Sequence, residues 1–341
     1  MIETLKTLCA LNGVSGNEGE VREYILDRLR EHADEVMTDV MGNVIAFKKG
    51  TKTPEKKLAL CAHIDEVGVI ITGITDDGYL KFAMTGSIDS RVVIGKTILI
   101  GKQRVLGVIG CKAIHITKAK DREKVLETDE LSIDIGAKNR EEAEKLVMRG
   151  DTGAFESEIR EFGDGFIKAK AIDDRFGCAV LLELLKSELP CDCMFAFTVQ
   201  EEVGLRGAYT AAYRTSPDVA LIIESTTAAD FPSVSDNKKI CKAGCGPVIP
   251  FMDGGTIYDR ELRSVLTGIA DKNGIKWQTK NVVAGATDGA AFQRSRTGIK
   301  TVAVSAPVRN IHSPSCVCKL TDMEAVCRLV LLFLEEFADL K

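Results

Sequence analysis

Aromatic residues make up only 6% of the chain, Trp occurs once and Pro eight times. No apolar run approaches the ~20 residues needed to cross a bilayer, so a membrane-spanning protein is not expected. A block of one charge sign is also missing. The 45 Lys and Arg nearly balance 50 Asp and Glu, for a formal charge of -5. With nothing to neutralise a run of phosphates, nucleic acid is not an expected partner. The opening MIETLKTLCALNG lacks a basic stretch followed by an apolar one and a cleavage site, so the eleven Cys point to a reducing cytosol rather than to a disulfide framework. Cys191/Cys193 and Cys316/Cys318 have one-residue gaps, unlike the two-residue knuckles of structural zinc sites, and read as ordinary thiols. There is no internal repeat, low-complexity tract or Pro-rich linker.

What the chain does have is length and apolar content. Its 341 residues, 45% of them hydrophobic, predict one large domain and a smaller one. Ser15 and Asn17 offer caps for a helix in which Val21, Ile25 and Leu29 share a face. Segments 44–47 and 58–62 read as a strand pair joined by a solvated hairpin loop. From 69 to 166 the texture is short β-branched runs broken by Gly and Asp-Gly turns, which predicts a small β-rich insert with one helix at 139–148. After 166, AVLLELLKSEL reads as a helix and CMFAFTVQ, VALIIE and KTVAVSA as strands. The expected fold is therefore α/β, a mostly parallel sheet with helices on both faces. That domain comprises 1–68 and 167–341, with 69–166 inserted. A last helix is expected over 321–337, with Thr321 and Glu324 as a capping box.

The chemistry sits where the apolar strands end. LALCAHIDEVG puts His63 and Asp65 there, MFAFTVQEEVG puts Glu201 and Glu202, VALIIESTTAAD puts Glu224, and VSAPVRNIHSPS puts His312; Asp173 and Asp174 precede an apolar helix. Ligands of open α/β sheets bind beyond the carboxyl ends of the strands. Carboxylates gathered there repel one another unless they protonate or share a cation. Imidazole with carboxylate suits zinc, cobalt or manganese, and so many candidate ligands predict two divalent ions. His63 and Asp65, two apart on an extended segment, face the same side, so the carboxylate can accept the ring N–H from behind. One member of the Glu201–Glu202 pair can bind metal while the other takes a proton. One member of Asp173–Asp174 can bridge while the other helps cap the helix or orients the bridge. Only four His are present, and His32 and His115 lie in ordinary charged surroundings.

AHIDEVG, AIDDRFG, TVQEEVGLRGA, GATDGAA and VRNIHSPS together resemble the TET-type, FrvX-like glutamyl aminopeptidase family, family forty-two of the metallopeptidases, some members of which carry the label endoglucanase M. The likeness spans nearly the whole chain. It implies a dinuclear aminopeptidase acting on peptides with a free N-terminus. His63, Asp173, Glu202, Glu224 and His312 would ligate the ions, Asp173 bridging; zinc is the first choice of metal. Glu201 would be the general base and Asp65 would hold His63. The inserted domain would support a homo-oligomer, as in the family's tetrahedral dodecamers. Two departures stand out: Glu224 where the family usually has Asp, with Asp230 as the fallback ligand, and Asn310 where it often has Tyr. The rival readings are a glycoside hydrolase, which needs two carboxylates but no metal, and a self-assembling homologue with little turnover. Segment 244–260 is a candidate wall of the substrate pocket.

Overall fold

The computed structural model describes residues 1–340, the Asp121 side chain excepted. Its main element is a nine-stranded sheet in the order Glu35–Thr38, Val44–Lys48, Cys193–Thr198, Leu58–His63, Val219–Thr227, Lys300–Arg309, Cys316–Lys319, Phe166–Ala169 and Arg160–Phe162. The expectation of a mostly parallel sheet needs correction. Only Cys193–Thr198, Leu58–His63, Val219–Thr227 and Lys300–Arg309 run parallel, and the strands flanking them pair antiparallel. The reason lies in the links: 39–43, 163–165 and 310–315 are too short for the crossover that parallel neighbours require. Nor do 44–48 and 58–63 form a hairpin, because Cys193–Thr198 lies between them and pairs with both.

Period-two alternation sorts each central strand between two helical layers. Leu58, Leu60 and Ala62 join Val219, Leu221 and Ile223 in the larger core, against the helices Ile2–Ala10, Gly19–Leu29, Ile172–Leu185, Arg260–Lys272 and Leu320–Phe337. The opposite face carries small residues, Ala59, Cys61, Ala196, Ala220 and Ala303, under Arg206–Thr215 and Gly289–Gln293. Val21, Ile25 and Leu29 are buried as expected, although neither Ser15 nor Asn17 caps their helix. The last helix has no Thr321–Glu324 capping box. Asp322 instead accepts the backbone N–H groups of Gly244 and Gly246, at 2.6 and 2.8 Å.

Six further strands close into a barrel in the order Thr152–Phe155, Gly68–Ile74, Leu80–Thr85, Ser132–Asp134, Val105–Gly110 and Thr97–Ile100. Val69, Ile71, Phe82, Ile98, Ile109 and Ile133 fill it, and closure leaves no free sheet edge. Its one α-helix, Arg140–Glu144, is shorter than the expected 139–148; Asn139 caps it by accepting the Glu142 N–H. Arg160–Phe162 belongs to the main sheet.

Candidate active site

Strand register brings the first cluster together. Cys61 pairs with Ile222 in parallel. Two residues further on, on the same face, come His63 and Glu224, with His63 Nε2 3.5 Å from Glu224 Oε1. Glu224 thus sits within Val219–Thr227 rather than after it. Asp173 enters from the start of the helix Ile172–Leu185, whose first residues are not helical in φ and ψ. Its Oδ1 lies 3.5 Å from His63 Nε2 and its Oδ2 3.3 Å from His312 Nε2. Glu202 Oε2 also lies 3.3 Å from His312 Nε2. The ligand atoms of His63, Asp173 and Glu224 fall within 4.8 Å of one another, and so do those of Asp173, Glu202 and His312. Asp173 belongs to both groups, with one oxygen towards each imidazole. Asp174 turns away from them: its Oδ1 accepts the Gly177 N–H at 2.9 Å, as a helix cap does. A Cβ at position 177 would meet Asp174 Oδ2 at 2.3 Å, which accounts for the Gly of AIDDRFG.

Both imidazoles are oriented the same way. His63 Nδ1 faces the Asp65 carbonyl oxygen at 3.1 Å and the Asp65 carboxylate at 3.4 Å. His312 Nδ1 faces the Ser87 carbonyl oxygen at 3.0 Å. A neighbour that can only accept places the proton on Nδ1 and leaves the Nε2 lone pair for the site. Ser87 follows the barrel strand Leu80–Thr85, so the smaller unit helps to aim this ring. Asp65 also serves the Glu pair: it accepts the N–H groups of Glu201 and Glu202, at 2.9 and 3.2 Å, and the Ser15 hydroxyl at 2.6 Å.

The electrostatics are those of a site short of positive charge. Burial, then the charge of Asp173, pushes the Glu202 carboxyl up to about 8. Burial does the same to Glu224, also to about 8, against the opposing pull of His63. Glu201 is pushed well above the usual carboxylate range, by burial and then by Glu224, with His63 opposing. Burial would lower the pKa of His312, but Asp173 and Glu202 outweigh it and carry it up to about 9. Burial likewise opposes the depressed pKa of Asp173, which its bonds to His312 and His63 produce. Among the described residues no Lys or Arg forms an ion pair with Asp173, Glu201, Glu202 or Glu224. Divalent ions fit this set, since they supply the missing charge and replace the protons the carboxyls otherwise hold.

Glu201 Oε2 lies 4.0 Å from His63 Nε2 and is in neither ligand group. The fallback ligand, Asp230, is held elsewhere: Arg309 donates to both its oxygens at 2.7 Å and the Ala243 N–H donates at 3.1 Å. The two groups open onto a cavity of about 600 Å³ that Tyr209, Thr227, Lys280, Thr287 and Arg294 also line. Of segment 244–260 only Gly255 reaches it, because Asp253 folds the loop inward, accepting the N–H groups of Gly255 and Thr256 and the Tyr258 hydroxyl. Asn310 lies in the loop before His312, its side chain near the Ser315 carbonyl oxygen at 3.5 Å. Sequence reasoning missed Lys280, and missed the buried Asp288, which accepts the Thr198 hydroxyl beneath the His63 strand. GATDGAA was the available signal for Asp288; nothing marked Lys280.

Comparison with known proteins follows the same lines. The M42 glutamyl aminopeptidase family model matches residues 42–329. A lysyl aminopeptidase of Pyrococcus furiosus is 32% identical, over 98% of this chain and 96% of its own. An aminopeptidase of the archaeon Desulfurococcus kamchatkensis superposes with a TM-score of 0.93 at 36% identity, covering 99% of this chain and 96% of its own. The TET1 peptidase of Pyrococcus horikoshii, which can assemble into a tetrahedron or a large octahedral shell, superposes with a TM-score of 0.86 at 36% identity over 98% of this chain and 99% of its own.

Proposed function

Since this chain belongs to the M42 glutamyl aminopeptidase family of peptide hydrolases, we propose that it removes N-terminal residues from peptides with two divalent ions and Glu201 as general base. His63 and Glu224 would hold one ion and Glu202 and His312 the other, with Asp173 shared by the two groups. The observation that carries this reading is the pair of Asp173 oxygens, 3.5 and 3.3 Å from two different imidazoles. Zinc is the first choice, with cobalt and manganese suited to the same donors. When bound, such ions bring a water's pKa towards neutrality and polarise the scissile carbonyl.

The remaining work falls to the chain. Glu201, free of the ligand groups yet beside them, takes the proton of the attacking water and delivers it to the leaving amine. Asp65 positions both Glu201 and the His63 ring. A glycoside hydrolase would leave the two imidazoles at Asp173 without a role. The test is Glu201→Gln. It should hold the same metal content as wild type and lose roughly 100- to 10,000-fold in turnover of aminoacyl anilides. Wild-type turnover in that variant refutes the mechanism. The same reading gives the protein a homo-oligomeric state, that of a tetrahedral dodecamer, with 69–166 as an inserted unit that supports assembly.

A further inference from the structure

Three cavities adjoin one another along the barrel. The first, of about 600 Å³, is the one onto which the two ligand groups open. Ser87, Ile311 and His312 line it, and they also line a second of about 560 Å³, between the segment that follows Leu80–Thr85 and the loop 310–315. Arg91 and Ile94 line both the second and a third of about 900 Å³, beside the barrel excursion 111–126. Open space therefore continues from the His312 imidazole out onto the smaller unit. Ile94 lies seven residues after Ser87, so the run between them is at most about 25 Å, the reach of about seven extended residues. Its far part is basic. Arg91 is held by Asp89, and Arg122 donates to the Thr117 carbonyl oxygen at 3.1 Å. Lys96 in the second cavity and Lys112 and Lys118 in the third are exposed, and among the described residues their ammonium groups make no ion pair or hydrogen bond. Of the two acidic residues lining the third cavity, Glu123 and Glu130, the latter accepts the Glu127 N–H at 3.0 Å.

We propose that this run of cavities is the track for the part of the peptide that follows the scissile bond, and that Lys96, Lys112 and Lys118 make the enzyme favour substrates with acidic residues in that downstream stretch. This rests on the aminopeptidase reading above. On one side of the scissile bond such an enzyme holds a single residue, for which one cavity suffices. On the other side it holds a chain of any length, which needs a way out. The second cavity begins at His312, and Glu201 lines only the first, so a peptide cut beside Glu201 passes His312 and Ser87 on its way to the basic end. An exposed ion pair contributes little by itself, and the preference therefore grows with the number of acidic residues laid along the track.

The experiment uses peptides of about eight residues with a free N-terminus and an amidated C-terminus, carrying Glu, Gln or Lys throughout their second half. Each set shares one first residue, Leu, Lys or Glu, so that the identity of that residue cancels. Equimolar mixtures are digested by metal-loaded wild type and by the Lys96→Gln, Lys112→Gln, Lys118→Gln triple variant, and loss of the first residue is followed by mass spectrometry, which gives ratios of kcat/KM directly. At low salt, wild type should cleave the Glu-bearing peptide roughly tenfold faster than the Gln-bearing one, with the Lys-bearing one slowest. Raising the salt to about 0.5 M should shrink that ratio, and the triple variant should bring it towards one. Equal cleavage of the Glu- and Gln-bearing peptides, a ratio indifferent to salt, or a Glu preference that survives in the triple variant overturns the proposal without touching the aminopeptidase reading. Metal-loaded wild type that removes no first residue from any peptide refutes the aminopeptidase reading, and the track with it. The wild-type ratio does not depend on the variant folding.

Discussion

At the scale of single residues, the decisive feature is that Asp173 presents a separate oxygen to each of two imidazoles. Glu224 completes one group and Glu202 the other. Glu224→Ala should therefore lower the number of ions bound per chain, measured by elemental analysis. Asp230→Ala should leave it unchanged, because that carboxylate is taken by Arg309. Unchanged metal content in Glu224→Ala counts against the ligand assignment. The carboxyls of Glu202 and Glu224 are both pushed up to about 8, first by burial. Near neutral pH they hold protons that an incoming ion must displace, so affinity should rise with pH. Calorimetry of zinc binding in buffers of different ionisation enthalpy should record proton release, and the absence of any buffer dependence would contradict it.

At the scale of elements, the site depends on contacts that tie one segment to another. Lys170 donates to Glu66 at 2.8 Å, to the Leu11 carbonyl oxygen at 2.9 Å and to Asn12 Oδ1 at 3.0 Å. Lys170 and Glu66 are themselves buried just beyond Asp65, with the Gly13 N–H donating to the same Glu66 oxygen. Replacing Lys170 by Met takes the nearer of two cations from the buried Glu66 carboxylate, leaving Arg175 Nη2 at 3.4 Å, and should cost about 1–3 kcal/mol in denaturant unfolding; no measurable loss would show the Lys170 contacts to be dispensable. The Asp230–Arg309 clamp joins the end of Lys300–Arg309 to the loop after Val219–Thr227. Burial alone would raise the Asp230 pKa, but the Arg309 guanidinium holds it below the usual value. Its stabilisation is therefore fully present above the ordinary carboxylate pKa and is lost as pH falls through the depressed one. Asp230→Asn should flatten the acid limb of the stability profile, by about 1 kcal/mol for a partly exposed pair; an unaltered limb would exclude the clamp as its source.

At the scale of the whole molecule, the barrel leaves Leu106 and Val108 54% and 42% exposed on the strand Val105–Gly110. Neighbouring apolar side chains on an outer face suit contact between subunits. If the barrel supports assembly, the Leu106→Glu, Val108→Glu double variant should shift the light-scattering mass from an oligomer to a smaller species. A mass unchanged from wild type would locate the interface elsewhere.

How much of this the sequence contained follows from the range of the forces involved. Strand alternation and apolar runs are local, so the buried strands and the helices behind them were legible in 58–62, 193–198 and 219–223. The clustering of His, Asp and Glu at 63–65, 173–174, 201–202 and 312 was legible for the same reason: strand ends can be read without knowing what lies beside them. Pair order is not local. Whether Cys193–Thr198 slides between 44–48 and 58–63, or whether a flanking strand runs antiparallel, depends on which surfaces bury best together. Lys280 was invisible because a Lys after a Gln and a Thr looks like solvated surface. Only the packing of distant walls around it removes the water and leaves its charge facing the cavity.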